Sequence, residues 1–276
     1  MTTSITSSTT QTIISAGGNP SALVIENGGI VSGIGKNKII NGNFAINQRG
    51  VSGTVVLAAG AYGHDRFKAG AAGCTYTFAT LENITTITIS AGSLIQVIEG
   101  LNLFSGNVVL SWTGTAQGKI GTGAYGNSGV TGTAVGGTDL SVEFSTGTLS
   151  LVQLETGSYK SAFEHRPYGM ELSLCQRYYA IQNLTSTLAL ATSSTSARVG
   201  IQHFVPMRIM PTLAAIGLIR LVNVGIDTTQ SAPSFTDASS NNLLTVTQLG
   251  NFSGLTPNSV YVVGSEAAKI GLSAEL

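Results

Sequence analysis

Charge is scarce in this chain of 276 residues: 9% are Asp, Glu, Lys or Arg, and thirteen basic side chains cancel thirteen acidic ones. No run of basic residues occurs, which argues against binding to nucleic acid or to an anionic membrane surface, since both need clustered Lys and Arg. A monomer usually keeps more surface charge for solubility. The deficit, with 35 glycines and abundant Ser and Thr, therefore predicts that surface is buried between subunits. Cysteine is limited to Cys74 and Cys175, without CxxC spacing, so neither a disulfide framework nor a zinc site is indicated. Both are expected to be buried thiols, because a free Cys packs as a small hydrophobe. The longest apolar run, Ile209 to Ile219, holds Pro211 and stops at Arg220, too short to span a bilayer. The opening MTTSITSSTT lacks the basic and apolar regions of a secretory signal. A soluble protein made in a cytoplasm, with no membrane insertion, is expected.

Catalytic motifs are equally sparse. GxSxG, HExxH, P-loop and EF-hand patterns are absent, and the glycine-rich stretch lacks the Lys-Ser/Thr that phosphate binding needs. Carboxylates such as Asp139, Glu143 and Glu155 could supply a glycosidase pair, but spacing along the chain does not test their separation. The sequence predicts no enzyme, no cofactor and no metal site.

What the chain does have is alternation. Cys74, Tyr76 and Phe78; Ile87 and Ile89; Leu140, Val142 and Phe144 each alternate with small polar residues, as strands with one buried face do. Leu149, Leu151 and Gln153 open another strand, alternating with Ser150, Val152 and Leu154. Such strands between Gly, Asn and Ser turns, including Ser105-Gly106-Asn107, fit a sandwich or jelly roll. Thr113 to Gly137, with glycine every third or fourth residue, reads as a long loop and a binding surface. Near the start, Leu23 to Glu26, Asn27-Gly28-Gly29, then Ile30 and Val31 read as a hairpin. After residue 181, Val199, Ile201, His203 and Val205 alternate, as do Leu244, Val246 and Gln248; Pro206 and Pro211 around MRIM suggest a bend or an edge strand. Between these β regions Met170, Leu174 and Tyr178 fall four apart and Leu172, Cys175 and Tyr179 line the adjoining side. Together they predict a short helix whose apolar arc is wide enough to touch two bodies.

VQLETGS followed by AFEHRPYGMELSLCQRYY resembles a joint in tail-fibre and other receptor-binding appendage proteins of tailed bacteriophages, where a carbohydrate-binding-module-like jelly roll ends and a short helix follows. KNKIINGNFAINQRG and AYGHDRFKAG resemble the opening of the same module, so the likeness spans about residues 36 to 180. TTQTIISAGGNPSALVIENGGIVSGIG resembles a phage-fibre lead-in, FVPMRIMPTLAAIG the strand after the helix, and VYVVGSEAAKIGLSAEL a C-terminal strand.

The expected architecture is all-β: an N-terminal attachment and oligomerisation arm (1–36), a jelly-roll β-sandwich of carbohydrate-binding type (37–168), one linking helix (169–180) and a second small β domain (181–276). The resemblance implies a phage virion appendage on the particle surface, expected to be a homotrimer that joins other virion proteins through its arm and contacts host surface glycans. A head fibre or capsid decoration protein without an essential ligand is the alternative. A glycan depolymerase is disfavoured because long repeated β-helix coils are absent. Candidate sugar contacts are Trp112, Tyr125, Tyr62, His64 and Asp65. Each has a plainer reading: Trp112 as core, His64-Asp65-Arg66 as a salt-bridged turn, and Tyr125 and Tyr62 as neutral surface rings of a module that serves only as a spacer. His165 and Arg166 read as interdomain hydrogen-bonding groups.

Overall fold

Alternation becomes an all-β protein, with one α-helix among the described residues. The computed structural model describes residues 35–276 apart from 224–225, 231–232, 242–243 and 265–267, and three short strands nearer the N-terminus. In chain order the strands are β1 (Ser4–Thr6), β2 (Thr12–Ser15), β3 (Leu23–Ile25), β4 (Val55–Leu57), β5 (Lys68–Leu81), β6 (Ile84–Ile98), β7 (Gly106–Thr113), β8 (Gly118–Ile120), β9 (Val130–Ala134), β10 (Leu140–Phe144) and β11 (Gly147–Thr156). Helix α1 (Tyr168–Gln176) follows. Then come β12 (Tyr179–Asn183), β13 (Leu188–Ala191), β14 (Ala197–Gln202), β15 (Thr212–Ile216), β16 (Ile219–Asn223), β17 (Ile226–Gln230), β18 (Phe235–Asn241), β19 (Leu244–Leu249), β20 (Val260–Val263) and β21 (Lys269–Ser273). Strands β1, β2 and β3 form a small antiparallel sheet in which Leu23–Ile25 pairs with β2. The turn and second strand of the expected hairpin, and most of the expected arm, lie outside the described residues.

The chain divides into two compact units, the first made of residues up to 45, 51–63 and 67–166, the second of 46–50, 64–66 and 167–276. In the first unit the order β4-β5-β6-β11-β7-β9 forms one wing of the sheet, while β10 pairs with β6 and β8 to form the other. The long β5–β6 hairpin serves both wings because its ladder shifts register between Ala69 and Cys74. Gly73 and Gly92 sit at that bulge with φ of 79° and 72°, a backbone state that glycine adopts without a Cβ penalty. Across the core Trp112 of β7 meets Phe144 of β10 edge to face, ring centroids 5.3 Å apart. Tyr76, Ile87, Leu94, Leu110, Val142, Leu149, Val152 and Leu154 fill the space between the wings, each burial contributing about 1.5–3 kcal/mol.

Two expectations fail here for physical reasons. Thr113 to Gly137 is no long loop: β9 pairs with β7, and β8 pairs with β10. Its glycines serve close packing, since a Cβ at Gly132 would come within 3.0 Å of the Ile120 side chain and one at Gly118 within 2.8 Å of the Trp112 ring. In β11 the alternation breaks at a bulge between Ser150 and Gln153, where Leu151 has φ 50°. The inward face therefore passes from Leu149 to Val152 and Leu154, and Leu151 is only half-buried.

The second unit holds a three-stranded sheet, β12-β21-β15, and a seven-stranded sheet, β17-β16-β20-β13-β14-β19-β18, around a core that includes Val199, Ile201, Leu221, Tyr261, Ile270 and Leu272. Helix α1 is shorter than expected, with Tyr179 already in β12. Within the chain it buries Glu171 and Cys175, not a wide apolar arc; Met170 is 45% exposed. In β19 the expected apolar set faces out: Thr245, Thr247 and Leu249 are buried, while Leu244 is exposed. Thr245 is accommodated by its hydrogen bond to His203 Nε2 at 2.9 Å.

Candidate carbohydrate-binding face

The register of the first unit lines up one row of outward side chains. Tyr62 bridges to Lys68, Lys68 stands opposite Ile95, Ile95 opposite Glu143, and Glu143 opposite Lys119. Cross-strand partners share a face, and their neighbours Ala69, Leu94, Phe144 and Gly118 are buried on the other side. Three inter-strand steps carry the row about 14 Å from Lys68 to Lys119. Beyond Lys119 the chain returns with Tyr125, whose ring lies 4.8 Å from the Lys119 ammonium. At the other end the Lys68 ammonium lies 5.8 Å from the Tyr62 ring. The row thus has an aromatic ring at each end and charged groups between them.

Glu143 organises the middle. It accepts from Lys119 at 2.8 Å, from the Ser93 hydroxyl at 2.6 Å and from the Tyr125 hydroxyl. Partial burial opposes its charged form, but these donors and the Lys119 charge outweigh that and hold the carboxyl below its ordinary range. Tyr125 is pushed up to about 12, first by burial and then by the bonded Glu143 charge. The lysine, carboxylate and phenol are therefore fixed by one another, and fixed polar groups lose less entropy when a ligand arrives.

Of the sequence candidates, Tyr62 and Tyr125 come together on this face; the other three do not. Trp112 is 6% exposed and donates its indole N–H to the Ala116 carbonyl at 2.9 Å, so it is core and offers no ring face to a sugar. His64 and Asp65 are buried in the second unit. There the Asp65 carboxylate takes the Gln48 backbone and side-chain N–H groups at 2.6 and 2.7 Å. Arg49 stacks on Tyr179 at 3.7 Å and Arg66 on Tyr178 at 3.6 Å, and both arginines pair with Glu275. Burial lowers the His64 pKa to about 4 and raises that of Asp65 despite its donors. The salt-bridged turn is the correct description of His64-Asp65-Arg66, which is a turn and not a strand.

The three carboxylates considered as a hydrolytic set are engaged separately. Asp139 accepts the Gly100 N–H at 2.7 Å, Glu155 binds the Ser161 N–H and hydroxyl, and Glu143 belongs to the row. Arg166 donates to the Ile39 and Asn37 carbonyls within the first unit, and His165 is exposed with its ring against Phe163. Both cysteines are buried thiols, with Cys74 pushed up to about 11 by burial. Among the described residues no group of three His, Cys, Asp or Glu could hold a metal ion, and no helix is long and apolar enough to cross a membrane.

Sequence reasoning missed Lys68, Lys119, Ser93 and Ile95. The usable signal was the alternation around Glu143 and Lys119, which marks both as outward, but only strand pairing puts them side by side. No family model matches the chain, and a search of curated proteins finds no match.

Proposed function

We propose that this chain is a non-enzymatic virion appendage subunit, a tail fibre or receptor-binding protein, that contacts host surface glycans through the outward row of its first unit. The observation that carries this reading is the row itself, with Tyr62 and Tyr125 at its ends and the fixed Lys119–Glu143–Ser93 group between them. Sugar rings pack their C–H faces on aromatic rings, and their hydroxyls bond to fixed charged and hydroxyl groups. One such shallow row binds weakly, so useful affinity comes from display in several copies.

A homotrimer supplies those copies. Its support is the low charge of the chain and the outward face of the seven-stranded sheet. There Leu188 stands opposite Val262 and Leu190 opposite Val260, all four exposed, Leu188 by 63%. Residues 1–36 serve as the attachment arm in this reading. Light scattering on the purified chain then returns a trimer mass; a clean monomer at micromolar concentration contradicts it.

A glycan array probed with the protein at low and at multivalent density tests the central assignment. The expected result is weak binding that rises with density and falls in Tyr125→Ala. Absence of any glycan signal favours a decoration protein, and release of reducing ends from host polysaccharide overturns the non-enzymatic assignment.

A further inference from the structure

Residues 35–39 of the first unit lie against its last stretch, residues 161–166, and the two are tied by side chains, not by a strand ladder. The Glu164 carboxylate accepts the Gly35 and Asn37 N–H groups at 2.6 and 2.7 Å. Lys36 donates to the Ser161 hydroxyl and the Ala162 carbonyl at 2.6 and 2.7 Å. Arg166 donates to the carbonyls of Asn37 and Ile39. The Glu164 and Arg166 side chains are only 10% and 6% exposed, so water competes poorly for the part-buried bonds to Asn37 and Ile39. The outgoing segment is itself held to β11: Gln153 takes the Glu164 N–H at 2.9 Å and Glu155 takes the Ser161 N–H at 2.7 Å.

Direction gives this arrangement its consequence. Residues 161 and 164 meet Glu155 and Gln153 in turn, and residues 38 and 42 meet 154 and 152, so both segments run antiparallel to β11 and therefore parallel to each other. Lys36 bonds to 161 and 162, Gly35 and Asn37 to 164, and Asn37 and Ile39 to 166. Farther in, Lys38 N–H bonds to Leu154 O at 2.7 Å and Val152 N–H to Gly42 O at 2.8 Å, which is antiparallel. When residue 35 is pulled toward the N-terminus and residue 166 toward the C-terminus, parallel segments slide along each other and all their bonds stretch at once. An antiparallel pair pulled the same way opens from one end, one bond at a time.

We propose that residues 35–39 and 161–166 form a shear clamp, through which tension applied along the chain crosses the first unit without peeling its sandwich open. Peeling of the antiparallel bonds cannot begin until the parallel set has failed, because the parallel set sits nearer both pulling points. The clamp acts whether or not the outward row binds a glycan, and it suits a chain that is held at one end and loaded at the other.

Optical-tweezers pulling of the full chain from its termini tests this. Rupture of the clamp is recognised by release of the chain it closes, residues 35–166 with the second unit's 46–50 and 64–66 among them, about 45 nm at ~3.4 Å per residue. In Glu164→Gln and in Arg166→Ala the rupture rate at fixed load is expected to rise about tenfold or more for each charge-assisted bond lost. The same protein pulled through handles at Glu82→Cys, in the turn between β5 and β6, and Asn127→Cys, between β8 and β9, is loaded outside residues 35–39 and 161–166, and there rupture is expected at lower force. Equal forces in the two pulling geometries, or unchanged rupture rates in the variants, would overturn the proposal. If a variant does not fold, the comparison of pulling geometries decides alone, since it leaves every clamp residue intact.

Discussion

Two outward faces of the first unit are built by the same device and differ in chemistry. On one, Thr77 stands opposite Thr88 and Thr88 opposite Thr148, and Thr148 bonds to Thr115 at 3.1 Å; this row is uncharged hydroxyl and methyl. On the other, Tyr62, Lys68, Ile95, Glu143, Lys119 and Tyr125 follow one another. Strand pairing decides only that alternate residues share a face. Recognition requires more, namely groups of different chemistry fixed relative to one another. The second row has them because Glu143 gathers three donors, whereas the threonine row presents one kind of group repeated. In the proposed reading it is therefore the second face that takes a glycan, while the first presents hydroxyl and methyl groups to solvent.

The largest effect checks that the third aromatic candidate lies beneath both faces. Trp112→Ala should cost about 3–5 kcal/mol, read as a loss of denaturation midpoint, because it empties the space beside Phe144 and leaves the Ala116 carbonyl unpaired. A change below about 0.5 kcal/mol would place the ring on the surface and reopen it as a sugar platform.

Next in size is a pH effect outside both faces, which separates fold stability from site chemistry. His64 has its folded pKa lowered by burial from 6.5 to about 4, so its contribution is intact above pH 6.5 and is lost as pH falls through 4. Between pH 7 and pH 5 the His64 contribution should fall by ~2 kcal/mol. Asp65, raised by burial, has the opposite sign: its contribution is full below its unfolded value and lost as pH rises through its folded value. Denaturation at pH 7 and 5 measures the slope, and His64→Gln should flatten it; an equal slope in the variant would reject this origin.

Smaller effects probe the second row directly. Glu143→Gln should bring the Tyr125 titration down from about 12 toward the ordinary phenol range, followed by ultraviolet absorbance, since the carboxylate charge and its bond are removed while burial remains. Lys119→Ala should cost only about 0.2–1 kcal/mol, as half-exposed ion pairs do. Smallest of all, Thr77→Ala and Thr88→Ala should move stability by no more than about 0.5 kcal/mol each and leave binding alone.

Much of the all-β fold was legible because Cys74-Tyr76-Phe78, Ile87-Ile89 and Leu140-Val142-Phe144 keep strict alternation over a half-buried surface. Legibility failed where a local rule was overridden. The bulge in β11 moved Leu151 off the inward face, packing on Trp112 and Ile120 turned two loop-like glycines into strand residues, and a hydrogen bond to His203 let Thr245 be buried while Leu244 faced out. Of the candidate site Tyr62 and Tyr125 were visible beforehand, as aromatics beside His64 and in the glycine-rich stretch, and Glu143 only as a possible hydrolytic carboxylate. Lys68, Ser93 and Lys119 were not, because the β6-β10-β8 pairing that joins them is between segments distant in sequence.

The assignment of the ligand to one face is tested most directly by carrying the strongest array glycan, multivalently displayed, into binding measurements on two double variants. Tyr62→Ala with Tyr125→Ala should abolish binding while leaving the fold intact by circular dichroism, and Thr77→Ala with Thr88→Ala should bind as the unaltered protein does. Loss of binding in the threonine pair with retention in the tyrosine pair would contradict the account.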